Sequence, residues 1–90
     1  MVFKVYAVRN SKSENFFPPL LKRTHGEVER ELETAVNSPD SFLSKYPEDF
    51  DLYHLGEWDD NSGKFTLLDS PVHLLKAIQL KKQATVSCLN

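Results

Sequence analysis

Ninety residues with a formal charge of −2, 40% of them hydrophobic and 27% charged, describe one globular domain with a small core, because a short chain buries a modest share of its surface. The acidic balance argues against a protein that coats nucleic acid through bulk positive charge, although a segregated basic face can still meet phosphate. One cysteine, Cys88, excludes an intramolecular disulfide and a thiolate zinc site. No stretch approaches the ~18 apolar residues of a membrane span. The N-terminus lacks the features of a signal peptide, so the expected setting is a cytoplasm.

Residues 2–9, Val-Phe-Lys-Val-Tyr-Ala-Val-Arg, are rich in β-branched and aromatic types and predict a strand. Phe3, Val5 and Ala7 face one way; Val2, Lys4, Tyr6 and Val8 face the other. Residues 15–22 are apolar but carry Pro18-Pro19, whose missing amides allow only an edge strand or extended segment. Thr24 and Glu27 form a capping box that opens a helix to about Asn37, stopped by Ser38-Pro39. Its stripe of Val28, Leu32, Ala35 and Val36 packs on the sheet, while Glu27, Glu29, Arg30, Glu31 and Glu33 face water. A shorter helical turn at Ser41–Lys45 ends before Pro47.

Residues 50–58 alternate, with Leu52, His54, Gly56 and Trp58 on one face and Tyr53, Leu55 and Glu57 on the other. Asp59-Asp60-Asn61-Ser62-Gly63 supplies turn chemistry, and Phe65–Leu68 returns as the second strand of a hairpin. Ser70 as N-cap and Pro71 in the first turn predict a second helix fading near Lys82, with Val72, Leu74, Leu75 and Ile78 inward. Residues 83–90 read as a flexible tail. The expectation is one α+β domain over residues 1–82: a small, mostly antiparallel sheet of about four strands, with two helices on one face.

No constellation for catalysis or for a metal emerges. Asp59-Asp60-Asn61-Ser62-Gly63 lacks the alternate acidic spacing and closing glutamate of a calcium loop. His25, His54 and His73 are scattered, and none has a nucleophile or orienting acid beside it in sequence. Three glycines cannot build a phosphate cradle, and no hydrolase elbow is present. The expected protein is not an enzyme and holds no cofactor or metal. What remains is a surface. Helices on one side leave the other sheet face open, where Lys4, Tyr6, His54 and Trp58 would gather if the first strand neighbours the hairpin. Such a face suits stacking of single-stranded nucleic acid. It equally suits a second core layer or a subunit interface.

The chain resembles the small nonstructural proteins of gokushoviruses, single-stranded DNA phages of the Microviridae, over roughly residues 2–80. The resemblance rests on Phe3-Lys4-Val5-Tyr6-Ala7-Val8-Arg9, Phe17-Pro18-Pro19, Thr24-His25-Gly26-Glu27 with Arg30, Asn37, Ser41-Phe42 and Lys45. It continues through Pro47-Glu48-Asp49-Phe50, Leu52-Tyr53-His54-Leu55-Gly56-Glu57-Trp58-Asp59-Asp60, Gly63 and Pro71. It implies a protein made in the host bacterial cytoplasm and absent from the mature virion. It also implies a part in coupling single-strand DNA synthesis to packaging, through single-stranded DNA, the phage replication initiator or host replication proteins. On that expectation Tyr6 and Trp58 stack bases, with His54 beside them, and Lys4, Arg9, Lys22 and Arg23 meet phosphate. A protein-interaction adaptor without DNA contact stands as the alternative, and a homodimer is expected because ten aromatics in a small domain favour a second buried surface.

Overall fold

A computed structural model describes residues 1–82; the expected tail at 83–90, Cys88 included, lies outside the described residues. The strands are β1 (Val2–Asn10), β2 (Asn15–Phe16), β3 (Leu20–Lys22), β4 (Phe50–Asp59) and β5 (Phe65–Lys76). The helices are α1 (His25–Val36) and the single turn α2 (Phe42–Lys45), with short 3-10 turns at Pro47–Asp49 and Ala77–Leu80. β1 and β4 form the centre of the antiparallel sheet, β5 is one edge, and β2 and β3 share the other. The α+β class and the antiparallel sheet agree with the sequence reading, and α1 and α2 form where a helix and a shorter helical turn were expected.

α1 begins where its residues predict. The Thr24 hydroxyl accepts the Glu27 amide N–H at 3.2 Å, while the Glu27 carboxylate reaches back to the Arg23 N–H at 2.8 Å. The Glu27 N–H, an orphan donor of this helix start, is thereby satisfied, and the Arg23 N–H just ahead of the cap with it. Val28, Leu32 and Val36 face the sheet and meet Tyr6 and Val8 of β1, Phe50 and Leu52 of β4, and Ala77. The hairpin turn also forms as expected. Gly63 takes the left-handed conformation (φ 73°), and Asp59 Oδ1 accepts the Asn61 N–H. The neighbouring acids are structural: the N-terminal amine sits 2.7 Å from Asp60 and 3.9 Å from Asp59.

One predicted element is overturned. Residues 70–76 are strand rather than helix, and only Ala77–Leu80 coil, as a 3-10 turn. β4 supplies the reason. Its buried residues Asp51 and Leu52 need a second neighbour for their backbone groups, and Lys76 and Leu75 provide it. Pro71, read as a helix opener, instead lies where β5 bows outward. Leu68–Pro71 lie between the pairs Gly56↔Leu67 and His54↔Val72, opposite Leu55 alone. A proline is tolerated there because no ladder bond is asked of it.

The same place holds the feature that decides the faces. Leu55 is an extra residue of β4 relative to β1: Tyr6 pairs with His54, yet Val5 pairs with Gly56. This bulge reverses the alternation of everything after it. Trp58 therefore shares a face with Phe3, Val5 and Ala7, and not with His54. The sheet also outruns its helix. The molecule measures 52 × 28 × 20 Å, and at the β4–β5 end Glu57 and Thr66 on the helix side are exposed.

Candidate nucleic-acid interface

The uncovered face is built from two cross-strand rows. In the first, register places Phe3 of β1, Trp58 of β4 and Phe65 of β5 side by side. Their ring centroids lie 5.9 Å (Phe3–Trp58) and 6.3 Å (Trp58–Phe65) apart, all tilted. The Arg23 guanidinium lies 5.9 Å from the Phe3 ring centroid, within cation–π range. Phe65 is 53% exposed, so this row meets solvent as a broad aromatic surface.

The second row lies roughly 15 Å further along β4. Tyr53 packs edge-on against Phe16 at 5.4 Å and against His73 at 5.3 Å. The Arg9 guanidinium lies 6.0 Å from the Phe16 ring centroid. Beneath this row Asp51 is buried and its Oδ1 accepts from His73 Nε2 at 2.9 Å and Lys76 Nζ at 3.2 Å. Burial alone pushes its carboxyl up, but the bonds to His73 and Lys76 outweigh that and hold it below its ordinary value. The one acid of this row is thus matched by neighbouring donors. Val5 and Ala7 fill the space between the rows, buried by the larger side chains around them.

The acids of α1 lie away from this face, in company with Lys4, Lys22 and Arg30. Glu27, Glu29 and Glu31 are exposed on α1, on the covered side. Arg9, Arg23 and Lys76 stand on or beside the aromatic rows. The acidic sum of the chain therefore hides a cationic–aromatic face.

The seven residues singled out from sequence divide accordingly. Trp58, Arg9 and Arg23 belong to this face. Tyr6 does not: it is fully buried under α1, its hydroxyl hydrogen-bonded to His25 Nδ1, and it has no ring face left for a base. His54 lies on the same covered side, 5.3 Å from the Tyr6 ring, with Nε2 bonded to the Gly56 carbonyl at 3.0 Å. Burial, and then the nearby Glu27, raise the Tyr6 phenol above its ordinary value, as befits a core hydroxyl. Lys4 and Lys22 pair across β1 and β3 on the covered side, where the Lys22 ammonium binds Glu31 of α1. The expected gathering of Lys4, Tyr6, His54 and Trp58 is corrected by the Leu55 bulge, which separates Trp58 from the other three.

Sequence reasoning passed over Phe3, Phe16, Tyr53, Phe65 and His73. One signal pointed to them. Gly56 lies inside an otherwise regular strand, and a lone glycine there often marks a bulge or a close backbone approach. Here it marks both. A Cβ on Gly56 would stand 2.4 Å from the Thr66 carbonyl oxygen and 2.7 Å from the Leu67 Cα.

Round the end of the sheet lies a separate apolar cleft of about 450 Å³, walled by Phe17, Phe42, Tyr46 and Phe50, with Lys12 and Asp49 among its lining. Among the described residues no three or more His, Cys, Asp or Glu side chains group as a metal site. No helix among them is long and apolar enough to cross a membrane.

No curated protein and no solved structure matches the chain. Residues 3–80 match the family model described as Phage ORF5 protein, a span that takes in α1 and every strand, and the chain belongs to that phage protein family.

Proposed function

We propose that this phage protein binds single-stranded DNA across the uncovered sheet face, as a non-enzymatic accessory that couples single-strand synthesis to packaging. The setting would be the host cytoplasm, with the protein left out of the virion. The observation that carries the reading is the pairing of each aromatic row with a guanidinium: Arg23 with Phe3–Trp58–Phe65, and Arg9 with Phe16–Tyr53. Aromatic rings stack bases without regard to sequence, and arginines meet the phosphates between them. The acids of α1 lie on the far side and do not oppose the strand.

Trp58 is the only tryptophan, so its fluorescence reports stacking directly. Titration with an unstructured oligonucleotide at low salt should quench it, and rising salt should release the strand. Arg9→Ala and Arg23→Ala should each reduce the slope of log affinity against log salt by about 0.7, the single-strand value for one neutralised phosphate. Unchanged Trp58 emission and unchanged oligonucleotide anisotropy at the lowest salt would sink the reading.

The cleft at Phe42 favours a second reading, an adaptor that holds a replication protein without touching DNA. Phe42 is 72% exposed on α2, an apolar ring that the other described residues leave largely uncovered. On that reading Phe42→Ser abolishes binding of the phage replication initiator, and Trp58 emission ignores DNA throughout.

A further inference from the structure

We propose that a second copy of this chain pairs edge to edge with β5, through Phe65, Thr66 and Leu67, about a two-fold axis normal to the sheet. Such pairing does not depend on DNA binding. The two sheet edges are unequal. The outer edge is broken into β2 and β3, of two and three residues, with Pro18-Pro19 between them. Short pieces and prolines are the usual protection of an edge. The opposite edge is β5, twelve residues long, and no described element covers it.

The direction of its backbone groups follows from one hydrogen bond. The Asp59 N–H donates to the Lys64 carbonyl at 3.0 Å. Antiparallel pairs alternate, so Trp58↔Phe65 and Gly56↔Leu67 are the non-bonded pairs and Glu57↔Thr66 the bonded one. The close approach of Gly56 to the Leu67 Cα agrees with a narrow, non-bonded pair. The N–H and C=O of Phe65 and of Leu67 therefore point away from β4, toward the free edge.

Those groups select both the partner and the register. A second β5 running antiparallel, with the axis at Thr66, sets Phe65 opposite Leu67 of the second copy, and Leu67 opposite its Phe65. Every outward group then has a mate. A two-fold normal to the sheet keeps like faces together. Phe65 and Leu67 both lie on the uncovered face, 53% and 64% exposed, so the aromatic ring of each copy packs on the leucine of the other across the strands. Moving the axis to Leu67 sets Phe65 against Asp69, and moving it to Phe65 sets Leu67 against the turn at Gly63. The strip from Phe65 to Leu68 carries no charge, and with the axis at Thr66 Lys64 of one copy lies opposite Leu68 of the other and Asp69 opposite Gly63. Two net-acidic molecules thus meet without acid facing acid.

The outward bow at Leu68–Pro71 bounds the paired strip at roughly 17 Å. Such an interface falls at the small, reversible end of specific association. In the dimer each Phe3–Trp58–Phe65 row ends against Leu67 of the other copy, and the two rows lie offset by two residues about the axis.

Sedimentation velocity of the full chain from micromolar concentration upward should show a monomer passing to a dimer. Leu67→Pro removes an outward N–H that the monomer leaves unused. It should weaken association about tenfold or more by deleting two symmetry-related bonds, with the folded circular dichroism spectrum retained. Thr66→Cys in a Cys88→Ser background sits on the axis, where facing Cα atoms approach to about 4.5 Å, within disulfide range. Mild oxidation should trap it as a covalent dimer and leave Ser62→Cys in the same background untrapped. A monomer at every concentration overturns the proposal; so does a dimer that survives Leu67→Pro and is not trapped at Thr66→Cys. DNA binding is scored separately by Trp58 quenching, so a trapped dimer that ignores oligonucleotide removes the DNA reading alone.

Discussion

The two faces of this sheet carry similar side chains with opposite fates. At the start of α1, the helix residue His25 clusters with Tyr6 and His54 of the sheet, centroids 5.3–5.4 Å apart, and Tyr6 is fully buried. On the other face, Phe3, Trp58 and Phe65 cluster at similar spacing and meet solvent. Aromatic content does not separate a core from a binding surface. What separates them is the helix overhead, and which residues lie beneath it is set by Leu55 in β4.

The sharpest break of the comparison is in the covered core. Leu52→Ala empties a fully buried position against Val28 and Val36 and should cost about 2–5 kcal/mol, read by chemical denaturation. Gly56→Ala comes next. Its Cβ would meet the backbone of β5, which cannot swing away, and it should cost about 1–3 kcal/mol and disturb the hairpin seen by Trp58 emission.

Asp51→Asn removes the charge that His73 and Lys76 satisfy and should cost about 1.5 kcal/mol near neutral pH. The sign with pH follows. The folded carboxyl titrates below its ordinary 3.8, so its contribution is present above that value and lost as pH falls through the lower, folded value. The gap between wild type and Asp51→Asn should therefore close in acid, and a gap that never narrows as pH falls below the ordinary 3.8 contradicts the assignment. The smallest stability effect belongs to the open face. Trp58→Ala should lower stability by less than the core substitution, yet reduce single-stranded DNA affinity by about 1–3 kcal/mol in anisotropy titrations. Equal losses of stability from Leu52→Ala and Trp58→Ala would erase the distinction between the faces.

Much of the fold is legible locally. The capping box at Thr24–Glu27, the stripe from Val28 to Val36 and the Asp59–Gly63 turn are signals written within a few residues, and each forms as read. The extension of β5 is not legible in that way. Ser70-Pro71 carries a true helix-start signal, but the demand of Asp51 and Leu52 for strand partners comes from a distant part of the chain. The candidate site was half visible. Trp58, Arg9 and Arg23 stand on the open face. Tyr6, His54, Lys4 and Lys22 are on the covered side.

By itself the sequence determined the types and order of most elements, the acidic outer face of α1 and a pool of aromatics larger than one small core needs. Tertiary structure decided which aromatics are dry and which are offered to a partner. The physical reason is the period of two in a strand: one extra residue, Leu55, turns every later side chain over. Only the pairing of β4 with β1 reveals that it is extra.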